Sequence, residues 1–135
     1  MGSLPKERRF PVRSFCAAAG LLLVMGCSKA APASQALRID YEISPQPVRV
    51  GAATVTLNLY DAAKPLTGAH IALEADMSHA GMAPFFGDAR EVSRGRYQAQ
   101  LQLGMAGDWV ILVHMVLPGG QTVDRQFDVR DVRPN

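Results

Sequence analysis

Met77, His79 and Met82 stand close together in the segment Asp76-Met77-Ser78-His79-Ala80-Gly81-Met82-Ala83-Pro84. Two thioethers and one imidazole make a soft-to-intermediate donor set. Met sulfur selects Cu(I), and imidazole accepts either copper oxidation state. Thioethers do not titrate, so they bind without competition from protons, whereas His79 must be neutral to bind. A loop turning at Gly81 could bring all three donors onto one ion. Met105 joins them if its turn shares that end of the fold, and His114 becomes a fourth ligand if it faces the loop. The expected cofactor is copper, with Cu(I) favoured. The competing reading is plain packing. Methionine is a flexible gap-filler, and a loop folding over a core often buries one or two. His114, between Val113 and Met115, reads first as a core or sheet-face histidine, and His70 as a surface one.

Other chemistries lack their residues. A blue-copper centre needs a Cys with two His. No His-Glu-x-x-His or paired-Cys zinc spacing occurs, and no Gly-x-Ser-x-Gly elbow. Asp76, Ser78 and His79 are the ingredients of a triad, but neighbours in sequence do not give triad geometry. The expectation is a protein that is not an enzyme.

The elements that must hold this loop begin with an address. Lys6 to Arg13 is basic, and Phe15 to Met25 is an apolar run too short to span a bilayer, which takes about 20 helical residues. The run ends at Val24-Met25-Gly26-Cys27, which resembles a bacterial lipobox. The reading is a lipoprotein signal peptide over 1–26, acylation of Cys27, and a Ser/Ala/Pro-rich tether over 27–36. An ordinary secretory signal cleaved near Ala30 to Ala33 is the alternative. Both put the domain outside the cytoplasm. With acylated Cys27 the chain is lipid-anchored in the bacterial envelope and faces the periplasm, and Ser28 favours the outer membrane. Cys16 and Cys27 are the two cysteines of the chain, so no disulfide remains for the domain.

Loss of the leader changes the charge. The whole chain of 135 residues has 14 basic and 12 acidic side chains, net +2. Removing Lys6, Glu7, Arg8, Arg9 and Arg13 leaves 10 and 11. A near-neutral domain has no electrostatic footprint for nucleic acid.

From Leu37 onward the apolar pattern has period two. Leu37 to Ile43 alternates cleanly and is ended by Pro45 and Pro47. Ala53 to Tyr60 places Val55, Leu57 and Leu59 on one face. Ala69 to Ala75 places Ile71 and Leu73 inward. Phe85 to Arg94 reads as a polar linker, with a short edge strand near Val92. Tyr97, Ala99, Leu101 and Leu103 define the next strand, and Gly104 to Gly107 a tight turn. Asp108 to Leu117 is apolar on both faces, which predicts a central strand with Trp109 as a core anchor. Thr122 to Val129 closes the sheet with Val123, Phe127 and Val129 inward. No helical periodicity is sustained. The pattern predicts an all-β, immunoglobulin-like β-sandwich of about seven strands over 37–132.

The runs Asp-Met-x-His-x-x-Met-x-Pro, Gly95-Arg96-Tyr97 and Met105-Ala106-Gly107-Asp108-Trp109 resemble the YtkA-like domain. That domain is related to FixH-like proteins and is similar to modules in bacterial heavy-metal efflux adaptors. The resemblance runs from about Pro47 to Val129. It implies an immunoglobulin-like sandwich in the bacterial envelope, associated with copper handling or respiratory-oxidase maturation. The implied partner is a copper-handling or oxidase-assembly protein.

Two functions follow as expectations. One is copper binding through Met77, His79 and Met82, with Met105 and His114 as additional ligands. The other is a metal-free interaction or accessory module in envelope assembly. The adjacent aromatics Phe85 and Phe86 would be its anchor, unless one of them plugs the end of the core.

Overall fold

The computed structural model describes residues 37–79 and 81–135. The segments read as a signal peptide (1–26) and a tether (27–36), with Cys27, lie outside the described residues. Eight strands follow in order: β1 (Leu37–Ser44), β2 (Gly51–Asp61), β3 (Lys64–Pro65), β4 (His70–Met77), β5 (Phe85–Ser93), β6 (Arg96–Leu103), β7 (Gly107–Val116) and β8 (Thr122–Val132). All the strand pairings are antiparallel, and the order across the sheet is β1-β2-β6-β5-β4-β7-β8, with β3 a two-residue partner of β2. The all-β immunoglobulin-like sandwich expected from the alternation is the fold observed.

The two layers share β5. Its first half pairs with β4 through Phe85 to Ala89, and its second half pairs with β6 through Arg90 to Ser93. One layer is β1-β2-β6 and the other β4-β7-β8, and β5 crosses from one to the other. The segment read as a polar linker is therefore a nine-residue strand. Its sequence hides this because it changes partners midway, so neither face is buried along its whole length. Gly87 sits at the crossing. A β-carbon there would lie 2.6 Å from the Gln100 carbonyl oxygen and 3.1 Å from Leu101 Cδ2. Only glycine lets the strands pass this closely.

The core lies between the layers. Val55, Leu57 and Leu59 of β2 and Tyr97, Leu101 and Leu103 of β6 face Leu73 of β4 and Trp109, Ile111, Val113 and Met115 of β7. Trp109 is 1% exposed, as its role of core anchor requires. β7 is flanked by β4 and β8, so its outward side chains Val110 and Leu112 are half-covered. That explains its apolar character on both faces.

On the open side of the sandwich, β1 and β8 are free edges brought together by contacts between the layers. Tyr41 of β1 stacks on Phe127 of β8 with centroids 4.0 Å apart and planes 18° apart. Lower down, Val50 donates to the Arg133 carbonyl (2.8 Å) and Arg133 donates to the Val48 carbonyl (3.0 Å). Both edges carry charged side chains, such as Arg38 and Asp40 on β1 and Asp128 and Arg130 on β8, which discourage further strand pairing.

Candidate metal centre

β4 and β7 set the position of the first thioether. Met77 is the last residue of β4 and pairs with Trp109 on β7, on the inward face. The chain then leaves the sheet and is tied down at once. The Ser78 amide and hydroxyl both donate to the Asp108 carbonyl, at 3.2 and 2.9 Å. That fixes the start of the Met/His loop to the start of β7, and it commits the Ser78 hydroxyl to the main chain.

The loop returns through Met82 and Phe85 onto the turn between β6 and β7. A β-carbon on Gly104 would lie 3.5 Å from the Met82 methyl and 3.4 Å from the Phe85 ring. A β-carbon on Gly107 (φ +128°) would lie 3.4 Å from the Met77 methyl. Both methionines are half-buried against the core. Between these two glycines stands Met105, 52% exposed. Its carbonyl accepts a hydrogen bond from Trp109 Nε1–H at 3.0 Å. Three thioether-bearing residues therefore occupy one end of the sandwich. His79 is exposed on the same loop.

His114 is elsewhere and leaves the candidate set. It lies five residues along β7 from Trp109, roughly 17 Å of strand. Its side chain points outward, where the loop's methionines pack inward. Nδ1 is 2.8 Å from Asp124 Oδ1, and Nε2 is 3.5 Å from Glu74 Oε2. The Asp124 carboxylate, with help from Glu74, raises the His114 pKa above the ordinary imidazole value. The two neighbouring phenylalanines also part company. Phe85 is half-buried, with its ring centroid 6.1 Å from that of Trp109, and Phe86 is 72% exposed. Phe85 thus plugs the end of the core, and only Phe86 is free to serve as an anchor. Asp108, at the turn, accepts a hydrogen bond from the Asp131 amide on its Oδ1 at 3.0 Å.

The opposite end of the sandwich is closed by polar groups. The Tyr97 hydroxyl donates to the Leu66 carbonyl (3.0 Å) and accepts from the Ala69 amide (3.1 Å). Glu91 accepts from the amides of Gly95 (2.9 Å) and Gly68 (3.1 Å), which hold its carboxyl below the usual range. Burial raises the Tyr97 hydroxyl pKa. These contacts fix the loops there and leave the methionine end as the soft one.

Among the described residues no three His, Cys, Asp or Glu side chains converge on one point as metal ligands. The donors at the methionine end are thioethers and one imidazole, a set suited to Cu(I) and poorly suited to hard cations. Sequence reasoning missed Gly104 and Gly107 as the seats of the two methyl groups. Their only signal was the tight turn itself. It also missed Glu74 and Asp124, which meet His114 only once strand register is known.

Comparison with known proteins agrees with this architecture. No curated protein matches the sequence. Among solved structures, the chain is similar to a DUF4426 family protein from Pseudomonas aeruginosa PAO1, at 13% identity and a TM-score of 0.56, covering 74% of this chain and 93% of that one. It is also similar to the PmoD soluble domain from Methylocystis sp. (Rockwell), at 13% identity and a TM-score of 0.47, covering 72% of this chain and 90% of that one. At 13% identity, the likeness to the DUF4426 protein is one of fold. The sequence profile of the YtkA-like family matches residues 33–114. That match spans more than half of the chain and includes β1 to β6, the Met/His loop and most of β7, so this protein belongs to the YtkA-like family.

Proposed function

We propose that the chain is an envelope-anchored lipoprotein that binds copper as Cu(I) at the methionine end of its sandwich. Met77, Met82 and Met105 are the thioether ligands, with His79 as the imidazole on the same loop. The observation that carries this reading is the packing of the Met77 and Met82 methyls on the two glycines that flank Met105. It brings donors from two separate loops to one end, where a sequence reading guarantees only the first loop. Family membership supports the envelope setting, and the lipobox at Cys27 supports the anchor in the bilayer. The outer membrane is the one that Ser28 favours. The role is acceptance or delivery of copper, with a copper-handling or oxidase-assembly protein as partner and no reaction catalysed. Titration of the purified chain with Cu(I) against a competing chelator tests it, with Met77→Ala/Met82→Ala as the comparison.

The exposed Phe86, near the same loop, favours a second reading. In that reading the end of the sandwich docks a protein partner without metal, and Phe86 is the anchor.

A further inference from the structure

The methionines of the described residues meet solvent to different degrees. Met115 lies in the core and is 0% exposed. Met77 and Met82 are half-buried and pack against that core. Met105 is 52% exposed. The fold therefore grades these thioethers, and the most accessible one sits at the same end as Met77 and Met82.

Two features of the turn place Met105 outside. Its carbonyl accepts the Trp109 Nε1–H at 3.0 Å, and Trp109 is 1% exposed, so the main chain of the turn is tied to a buried ring. The inner positions beside it are taken. A β-carbon on Gly104 would meet Phe85 at 3.4 Å and the Met82 methyl at 3.5 Å, and one on Gly107 would meet the Met77 methyl at 3.4 Å. The indole, which oxidants also attack, is shielded by the same burial.

A thioether is oxidised where it is accessible, and the product is a polar sulfoxide. We propose that Met105 is an oxidation site for hydroperoxides, and that its sulfoxide withdraws one soft donor from the methionine end. The sulfur lone pair attacks the peroxide oxygen. The S–O bond forms as the O–O bond breaks, the peroxide is reduced, and with hydrogen peroxide the leaving hydroxide takes up a proton as water. The sulfoxide offers a hard oxygen in place of a soft sulfur, so it is a poor ligand for Cu(I). That withdrawal rests on the Cu(I) reading above, whereas the oxidation itself does not. Reduction back to the thioether by a methionine sulfoxide reductase restores the donor.

The test treats the metal-free full chain, with free thiols alkylated, with limiting hydrogen peroxide. Sulfoxides are localised over time by tandem mass spectrometry. Met105 should be converted first, Met77 and Met82 later, and Met115 last. In urea the four should react at similar rates, which shows that the fold sets the order. Cu(I) affinity is then read by chelator competition on chain oxidised at Met105. It should fall to the level of Met105→Leu and return to the parent value after enzymatic reduction, while Met105→Leu itself should no longer respond to limiting peroxide. Conversion of Met77 or Met82 as fast as Met105 in the folded chain overturns the oxidation site. Unchanged Cu(I) affinity after conversion of Met105 alone overturns the withdrawal. A parent chain that binds no Cu(I) before oxidation defeats the copper reading and the withdrawal with it, and the oxidation site still stands or falls on the mass spectra.

Discussion

Single side chains separate the two ends of this sandwich. At one end the Met77 and Met82 methyls lie against Gly107 and Gly104, where a β-carbon would meet them at 3.4 and 3.5 Å, ordinary van der Waals contact. At the other, Glu91 receives two main-chain N–H groups. The Gly95 amide, then the Gly68 amide, lower the Glu91 pKa from its ordinary 4.5. A carboxylate whose folded pKa is depressed stabilises the fold above its unfolded pKa and loses that contribution as pH falls through the folded value. The urea midpoints of Glu91→Gln and the parent chain should therefore differ at neutral pH and converge on acidification well below 4.5. A gap that widens on acidification contradicts this assignment. The residue scale also shows what could be read early. The soft donors of the Met/His loop are evident from residue type alone. The place of His114 is not. It is one alternation step away from the buried neighbours Val113 and Met115, and that single step puts it on the outer face with Glu74 and Asp124.

Strands are where period-two reading works and where it fails. β2, β4, β6 and β7 have one face buried throughout, so their alternation marks both the element and its core residues. β5 changes layers halfway, so burial never imposes a full alternation and its charged residues suggest a linker. Yet β5 joins the two halves of the fold and sets where the Met/His loop lands. Gly87→Ala forces a β-carbon to within 2.6 Å of the Gln100 carbonyl oxygen, a main-chain atom that cannot rotate away. Loss of about 1–3 kcal/mol is expected from such overpacking. Gly119→Ala, where a β-carbon meets nothing within 4 Å, is the control and should change stability little. Chemical denaturation measures both. Equal midpoints for the two variants would show that the β5 crossing does not depend on close approach.

The described residues form a sandwich with one end locked by hydrogen bonds and the other lined with thioethers. Its class was legible in the sequence because turn residues and alternation recur along the domain. The convergence of two distant loops was not, since it depends on β4, β5, β6 and β7 sharing register. In the proposed setting, a lipid at Cys27 confines this domain to a membrane surface. Palmitate labelling and membrane fractionation should find the parent chain lipidated and sedimenting, and Cys27→Ala unlabelled and released. A labelled Cys27→Ala chain would contradict the lipobox reading. The central claim is copper binding at the methionine end, and competition titration with Cu(I) tests it most directly. The parent chain should compete with the chelator for one equivalent, and Met77→Ala/Met82→Ala should lose at least about tenfold in affinity while keeping its β-sheet circular dichroism. Equal Cu(I) affinity in the parent and the folded double variant would contradict that claim.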